Sequence, residues 1–267
     1  MKEISQIQPL ISVIMPSFNS EKHIKESIES IQSQTYENWE LIIVDGMSKD
    51  NTVKIIKEYL QIDKRIIYIA NSDDNGPAQA RSEGLKIASG EYFAFIDSDD
   101  LWKKNKLAIQ IKFMLDKNCK FSYTKYKKLL LDGSLSKASM GGHDSNSFNQ
   151  YLRRRGIANS TVMVKRECID DEVLNTVGKS HGEDTLWWLL ILRKGYTAYA
   201  IQADLVVYRD VEDSLSSKVL KHQFTVWHSY RNELGLNIFK ASFNYIGYII
   251  DVFIRRLIFF IMNSLKK

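Results

Sequence analysis

The chain has 267 residues, 44% of them hydrophobic and 26% charged, with a formal charge of +5. That is ample to bury a core and excludes a disordered or low-complexity chain. Two cysteines, Cys119 and Cys168, stand far apart without CxxC spacing, which argues against a disulfide scaffold and favours a reducing compartment.

The opening MKEISQIQPLISV carries an acidic residue and lacks a long apolar stretch with a small-residue cleavage site. It does not read as a secretory signal, and the chain is expected in the cytoplasm. Leu10 to Met15 is a β-rich apolar run stopped by Pro16, and from Glu21 the apolar Ile24, Ile28 and Ile31 follow helical spacing. Glu40 to Val44 reads as a strand closed by Asp45-Gly46, and Asn51 to Leu60 as a helix with Val53, Ile56 and Leu60 on one side. Ile66 to Ala70 is a third strand. Pro77 opens a helix that runs to about Ala88 and is ended by Gly90, and Glu91 to Ile96 is a fourth strand. This alternation predicts an α/β, Rossmann-like fold whose mostly parallel sheet is covered on both faces. Ligands of such sheets bind beyond the carboxyl ends of the strands. The loops at those ends, 16–19, 45–48, 72–77 and 97–100, are polar and open on one rim.

The last of these, Ile96-Asp97-Ser98-Asp99-Asp100, gathers carboxylates behind a buried strand. Mg²⁺ and Mn²⁺ prefer oxygen ligands and bind through one or two carboxylates, with waters and substrate phosphates completing the shell. An acidic turn capping the next helix has the same look. Beyond residue 101 the regularity weakens. Lys103 to Lys117 reads as a helix, Phe121 to Tyr126 as a strand, 132–150 as an irregular excursion, Ser160 to Val164 as a strand, Glu183 to Arg193 as a helix and Leu205 to Tyr208 as a strand. Of the adjacent tryptophans, Trp188 is expected in the core, whereas Trp187 fits either the core or a sugar-stacking position.

From Leu236 to Leu265 the chain is apolar and aromatic, with Asn237, Lys240, Asn244, Asp251 and Arg255 tracing one polar stripe, as in an amphipathic helix. Asp251, Arg255 and Arg256 would each cost about 2.5 to 3.5 kcal/mol at mid-bilayer, so lying on a membrane is favoured over crossing it. Docking on the protein itself or on a second subunit is the alternative. Basic clusters at Arg153-Arg154-Arg155, at Lys125 with Lys127-Lys128, and at Arg255-Arg256 with Lys266-Lys267 suit phosphates, an anionic lipid surface or a solvated face. No nucleic-acid module is recognisable, and nucleic acid is not an expected partner.

Taken together and in order, SVIMPSFNS, IIVDGMSKDNT, ARSEGLKIASGEYFAFIDSDD and GEDTLWWLLILRKG resemble family 2 of the nucleotide-sugar glycosyltransferases, of the bacterial surface-polysaccharide type, over about residues 10 to 210. The resemblance implies a GT-A fold, a UDP-sugar or similar donor, Mn²⁺ or Mg²⁺, and hexosyl or N-acetylhexosaminyl transfer with inversion at the anomeric carbon. It places Pro16, Phe18 and Asn19 in the loop lining the nucleotide pocket, Asp45 on the donor base with Ser48 beside it, and Arg81 near the nucleotide. Asp97 and Asp99 match the carboxylates of the DxD motif, with Ser98 between them: Asp99 on the metal, Asp97 on ribose, metal or metal-bound water. Asp184 matches the catalytic base, with Glu183 its nearest substitute.

Two departures stand out. The family's VDDGS is Val44-Asp45-Gly46-Met47-Ser48 here, and its YRxH is Tyr208-Arg209-Asp210-Val211, so Arg209 is expected to take over as diphosphate ligand.

Without the resemblance, Glu183-Asp184 also suits a plain acidic first turn matched to the helix dipole. No GxGxxG follows the first strand, which excludes a dinucleotide-dependent dehydrogenase. A phosphatase would carry its acidic pair after the first strand, and a sugar nucleotidyltransferase a Gly-rich basic loop near the N-terminus. A catalytically silent scaffold of a polysaccharide assembly complex is the competing reading. Residues 1–217 are expected to form the GT-A domain, with a nucleotide half at 1–100 and an acceptor half at 101–217, and residues 218–267 a helical, membrane-associated extension. Asp210 to Lys218, with Ser214, Ser216 and Ser217, is expected to order over the diphosphate as a lid, although a surface loop has the same composition. The acceptor is expected to be a glycan or a polyprenyl-diphosphate-linked glycan at the inner face of the cell membrane, and a homo-oligomer stays open.

Overall fold

The computed structural model describes residues 8–72, 76–175, 183–209 and 219–264. Its first half follows the expected alternation: β1 (Ile11–Ser17), α1 (Ile24–Gln32), β2 (Trp39–Asp45), α2 (Thr52–Ile62), β3 (Ile66–Ala70), α3 (Pro77–Ile87) and β4 (Tyr92–Phe95). Every residue of β1 and β4 is buried, as befits parallel strands covered on both faces. Side chains alternate between two cores. Ile14, Ile42, Phe93 and Phe95 face one of them, and Val13, Met15, Leu41 and Ala94 face the other.

The second half comprises β5 (Leu101–Trp102), α4 (Lys106–Asp116), β6 (Phe121–Leu129), β7 (Ser145–Asn146), α5 (Phe148–Arg153), β8 (Val162–Lys165), α6 (Asp171–Leu174), α7 (Glu183–Arg193), β9 (Ala198–Arg209), α8 (Val219–His228) and α9 (Ile238–Ser264). Strand order is β3-β2-β1-β4-β8-β6-β9-β5, with β7 also on β9. The strands from β3 to β4 run parallel. β8 then runs antiparallel to both β4 and β6, and β9 parallel to β6. Helices α1, α2 and α4 pack on one face, and α3, α5 and α7 on the other.

Several elements differ from the sequence reading. β9 begins at Ala198, before the expected Leu205, because polar Gln202 and Asp204 interrupt its apolar run while its pairing with β6 continues across a bulge. α5 lies partly within the segment read as irregular, and Gln150 closes its start by accepting the Ser147 amide at 2.9 Å, a capping contact. The alternatives for Trp187 resolve toward the core: it is 1% exposed, beside fully buried Trp188, and its ring meets Phe95 edge-on at 6.2 Å. A ring so enclosed offers no face to a sugar. The segment expected to form a lid lies outside the described residues.

Helix α9 docks with the Asn244, Asp251 and Arg255 part of its polar stripe inward, while Asn237 and Lys240 are exposed. Asn244 is buried, Asp251 accepts the Arg155 amide at 3.0 Å and Arg255 Nε at 2.8 Å, and Asn263 accepts the Lys137 amide at 2.8 Å. Phe239, Phe243, Ile246, Ile250, Phe253 and Leu257 are left exposed. Among the described residues no helix is long and apolar enough to cross a membrane.

Gly90 joins α3 to β4 where the backbone of β1 passes closest. A Cβ there would stand 2.6 Å from the Ser12 amide nitrogen and 2.7 Å from the Leu10 carbonyl oxygen. Neither can move without shifting β1, so Gly90→Ala is expected to cost about 2 kcal/mol, within the usual range for overpacking. A urea midpoint matching wild type would contradict this account of the junction.

Candidate active site

β1 and β2 end in register, with Ser17 opposite Asp45. The Asp45 carboxylate is buried and accepts both the amide and the hydroxyl of Ser48, at 2.8 and 2.5 Å. Ser48 Oγ in turn accepts the Asn19 amide at 2.8 Å, and Asn19 Oδ1 accepts the Lys49 amide at 2.9 Å. The two loops are thereby locked into one rim. Asn19 (φ 47°) and Met47 (φ 62°) both take the left-handed backbone, which costs a non-glycine residue strain. Met47 occupies the position that is glycine in the family pattern. Pro16 lies within β1 opposite Val44, while Phe18 and Met47 are both about half exposed on the rim.

The acidic tip follows β4. Asp97 Oδ1 is gripped by Arg81 Nη2 at 2.6 Å and Asn159 Nδ2 at 3.0 Å, and the Asp97 amide donates to Ser160 Oγ at 3.0 Å. Arg81 comes from α3, so helix and strand meet at this carboxylate. Ser98 ties the tip to α1: its hydroxyl shares a hydrogen bond with that of Ser20, and its carbonyl accepts Ser27 Oγ at 2.9 Å. The Asp99 carboxylate accepts no hydrogen bond from another residue's side chain among the described residues. Burial and the neighbouring Asp97 charge push its carboxyl up to about 6. Asp100 is buried, accepts the Ser160 hydroxyl and accepts the Arg209 amide at 3.0 Å. Its carboxyl is held well above the usual range by burial and by the Asp97 and Asp99 charges.

Arg209, at the end of β9, donates from Nε to the Asp99 carbonyl at 2.9 Å and pairs with Glu26 at 2.6 Å. The expected Arg81, Asp97, Ser98, Asp99 and Arg209 therefore form one cluster, with Asp45, Ser48 and Asn19 on the adjoining rim. Asp184 stands apart, in the first turn of α7, where its Oδ1 accepts the Thr185 amide at 2.7 Å. Among the described residues it forms no hydrogen bond or ion pair with the acidic tip. Glu183 begins the same helix, and its side chain lies outside the described residues. Arg81 and Arg209 of the clamp are named from the sequence, and the third acid, Asp100, is visible there, whereas Asn159, Ser160 and Glu26 carry no motif and were missed.

Among the described residues no group of three or more His, Cys, Asp or Glu side chains could hold a metal ion. The tip instead offers two carboxylates with hard oxygen donors, one fixed by Arg81 and one unclaimed by any side chain among the described residues. This suits Mg²⁺ or Mn²⁺, whose remaining positions go to water and substrate phosphates.

Such a sheet, covered by helices on both faces and open at its carboxyl rim, has GT-A architecture. The sequence profile described as Glycosyl transferase family 2 matches residues 12–171. TuaG of Bacillus subtilis (strain 168), provisionally named a teichuronic acid biosynthesis glycosyltransferase, is 36% identical over 241 residues, 90% of this chain and 95% of its own. WfgD of Escherichia coli, a UDP-Glc:alpha-D-GlcNAc-diphosphoundecaprenol beta-1,3-glucosyltransferase, is 37% identical over 222 residues, 81% of this chain and 85% of its own. The fold is shared with the mannosyltransferase PcManGT of Pyrobaculum calidifontis, solved with GDP-Man and Mn²⁺, at a TM-score of 0.66 and 17% identity over 91% of this chain and 70% of that one. The chain belongs to glycosyl transferase family 2 and is a glycosyltransferase.

Ser48→Ala removes the hydroxyl that binds Asp45 and accepts from Asn19 at once. Leaving buried Asp45 short of a donor is expected to cost about 1 to 3 kcal/mol. The Asn19 amide should then lose protection in hydrogen exchange; undiminished protection would show that Ser48 does not link the loops.

Proposed function

We propose that the protein moves a sugar from a UDP-sugar to a hydroxyl of a lipid-linked glycan, inverting the anomeric carbon, at the inner face of the cell membrane. The observation that carries this reading is the clamped Asp97-Ser98-Asp99 tip at the sheet's carboxyl rim, held by Arg81, Asn159 and Arg209. The relative WfgD, by name, uses UDP-Glc and a diphosphoundecaprenol-linked acceptor.

Residues of the two rim loops, Pro16, Phe18, Asn19, Asp45 and Ser48, receive the nucleotide, and Arg81 fixes Asp97 for the ribose or the cation. Asp99 and Asp97 would hold Mn²⁺ or Mg²⁺, which when bound neutralises charge growing on the leaving diphosphate. Arg209, anchored to the Asp99 carbonyl and Glu26, presents its guanidinium to the same diphosphate. On the opposite side of the sugar, Asp184 accepts the proton of the acceptor hydroxyl as its oxygen bonds the anomeric carbon and the bond to the diphosphate breaks. General-base help of this kind is typically worth about 10² to 10⁴ in rate.

Turnover over UDP-, GDP- and dTDP-sugars with Mn²⁺ tests the assignment. Asp184→Asn should lower transfer at least 100-fold while retaining UDP affinity, whereas Asp99→Asn should lose the metal dependence of UDP binding. Transfer at the wild-type rate by Asp184→Asn would remove it as the base.

Residues 218–267 form the membrane-contacting extension in this reading, set on the GT-A domain of residues 1–217. Its support is the outward apolar face of α9, flanked by Lys240 and Arg256, which matches an anionic lipid surface. Ile250→Ser, Phe253→Ser and Leu257→Ser combined should reduce co-flotation with phosphatidylglycerol vesicles at least 10-fold. Equal flotation of this variant and wild type would refute the contact.

A further inference from the structure

A cavity of about 670 Å³ lies between α9, α5 and the far end of β6. Four cations line it, Lys128, Arg155, Arg255 and Arg256, and its lining contains no carboxylate. The nearby Asp251 is already engaged by Arg255, by the Arg155 amide and by His143. Among the described residues Arg155 and Arg256 form no ion pair. Arg155 is 8% exposed, and its guanidinium sits among the rings of Tyr151, Tyr230 and Tyr248 at 5.2 to 5.6 Å. Nη2 donates to the Tyr230 hydroxyl at 3.1 Å, but Nε and Nη1 are buried without a hydrogen-bond partner. Burying a guanidinium with two of its donors unbonded is costly. The cavity's four cations, with no carboxylate in its lining, match the charge of a phosphate group, and the planar forks of its arginines match the oxygens.

Two placements say what kind of phosphate. The lining includes Thr185, whose amide binds Asp184, and Tyr151, whose phenol is pushed up chiefly by burial and to a lesser degree by the Asp184 charge. Phe260 also belongs to the lining and is 69% exposed, next to exposed Leu257 and Ile261 on α9. One lining thus brings together the cations, the residue that follows Asp184 and the exposed apolar face of α9.

We propose that the cavity seats the diphosphate of an amphiphilic, lipid-linked acceptor, held by Arg155 and Arg256, with its hydrocarbon chain leaving across Phe260. The assignment rests on the reading of the protein as a transferase to such acceptors. It makes α9 part of substrate recognition as well as an anchor.

Farnesyl diphosphate, titrated calorimetrically below its micelle concentration with UDP in excess, is the probe. Binding is expected in wild type, weakened at least 10-fold in Arg155→Gln and in Arg256→Gln, with farnesol and inorganic pyrophosphate each at least 10-fold weaker than farnesyl diphosphate. Arg256 is exposed, so its variant keeps the test decisive should Arg155→Gln fail to fold, which thermal melting reports. Unaltered affinity in Arg256→Gln overturns the proposal. Equal affinity for pyrophosphate overturns it in favour of a small-anion site, and displacement by phosphatidylglycerol vesicles overturns it in favour of bulk lipid headgroups. Wild-type UDP binding is measured separately: its absence counts against the transferase reading, whereas intact UDP binding without farnesyl diphosphate binding counts against this cavity alone.

Discussion

Three carboxylates packed within four residues behind β4 repel one another, and the rest of the molecule is arranged around containing that repulsion. Asp97 is offset by Arg81 from α3, Asp100 by a hydroxyl and an amide from two other elements, and the Asp99 backbone by Arg209. Among the described residues the Asp99 carboxylate stays without a partner side chain, and its carboxyl is held up to about 6, while that of Asp100 is also held well above the usual range. The protein thus keeps one acid poorly neutralised at the place where a dication would be most welcome.

The contrast between the halves of the chain shows what a sequence can and cannot reveal. β1, β2 and β4 are short, continuous apolar runs because helices cover both of their faces, and each is followed by a helix with a clear apolar stripe. Local pattern and tertiary environment agree there. In the second half they part. β9 accepts polar Gln202 and Asp204 because it lies near the sheet's margin. β5 has two residues, and α6 has four, too few for any periodicity. Such elements exist because of their partners, not because of their own sequence.

The site divides in the same way. Asp97, Asp99, Asp45 and Asp184 are visible because the resemblance carries them and because acids after a buried strand call for an explanation. Asn159 and Ser160 are equally placed on the tip yet invisible, since an Asn-Ser pair before a strand is what any loop contains. The polar stripe of α9 was legible, but its direction was not. An amphipathic pattern fixes which residues share a face, whereas the surface opposite decides which face turns inward, and here Arg155 and Lys137 offer backbone amides that draw Asp251 and Asn263 in.

The clamp on the acidic tip also sets a schedule for the nascent chain. Asp99 leaves the ribosome 110 residues ahead of Arg209, a lag of roughly 5 to 20 s at ordinary elongation rates. When Asp99 has been made, all of β1 to β4 has been made too, but neither β8 nor Arg209 yet exists to complete the tip. The contacts that complete the acidic tip therefore cannot all exist until β9 has been synthesised, long after the strand that bears the tip.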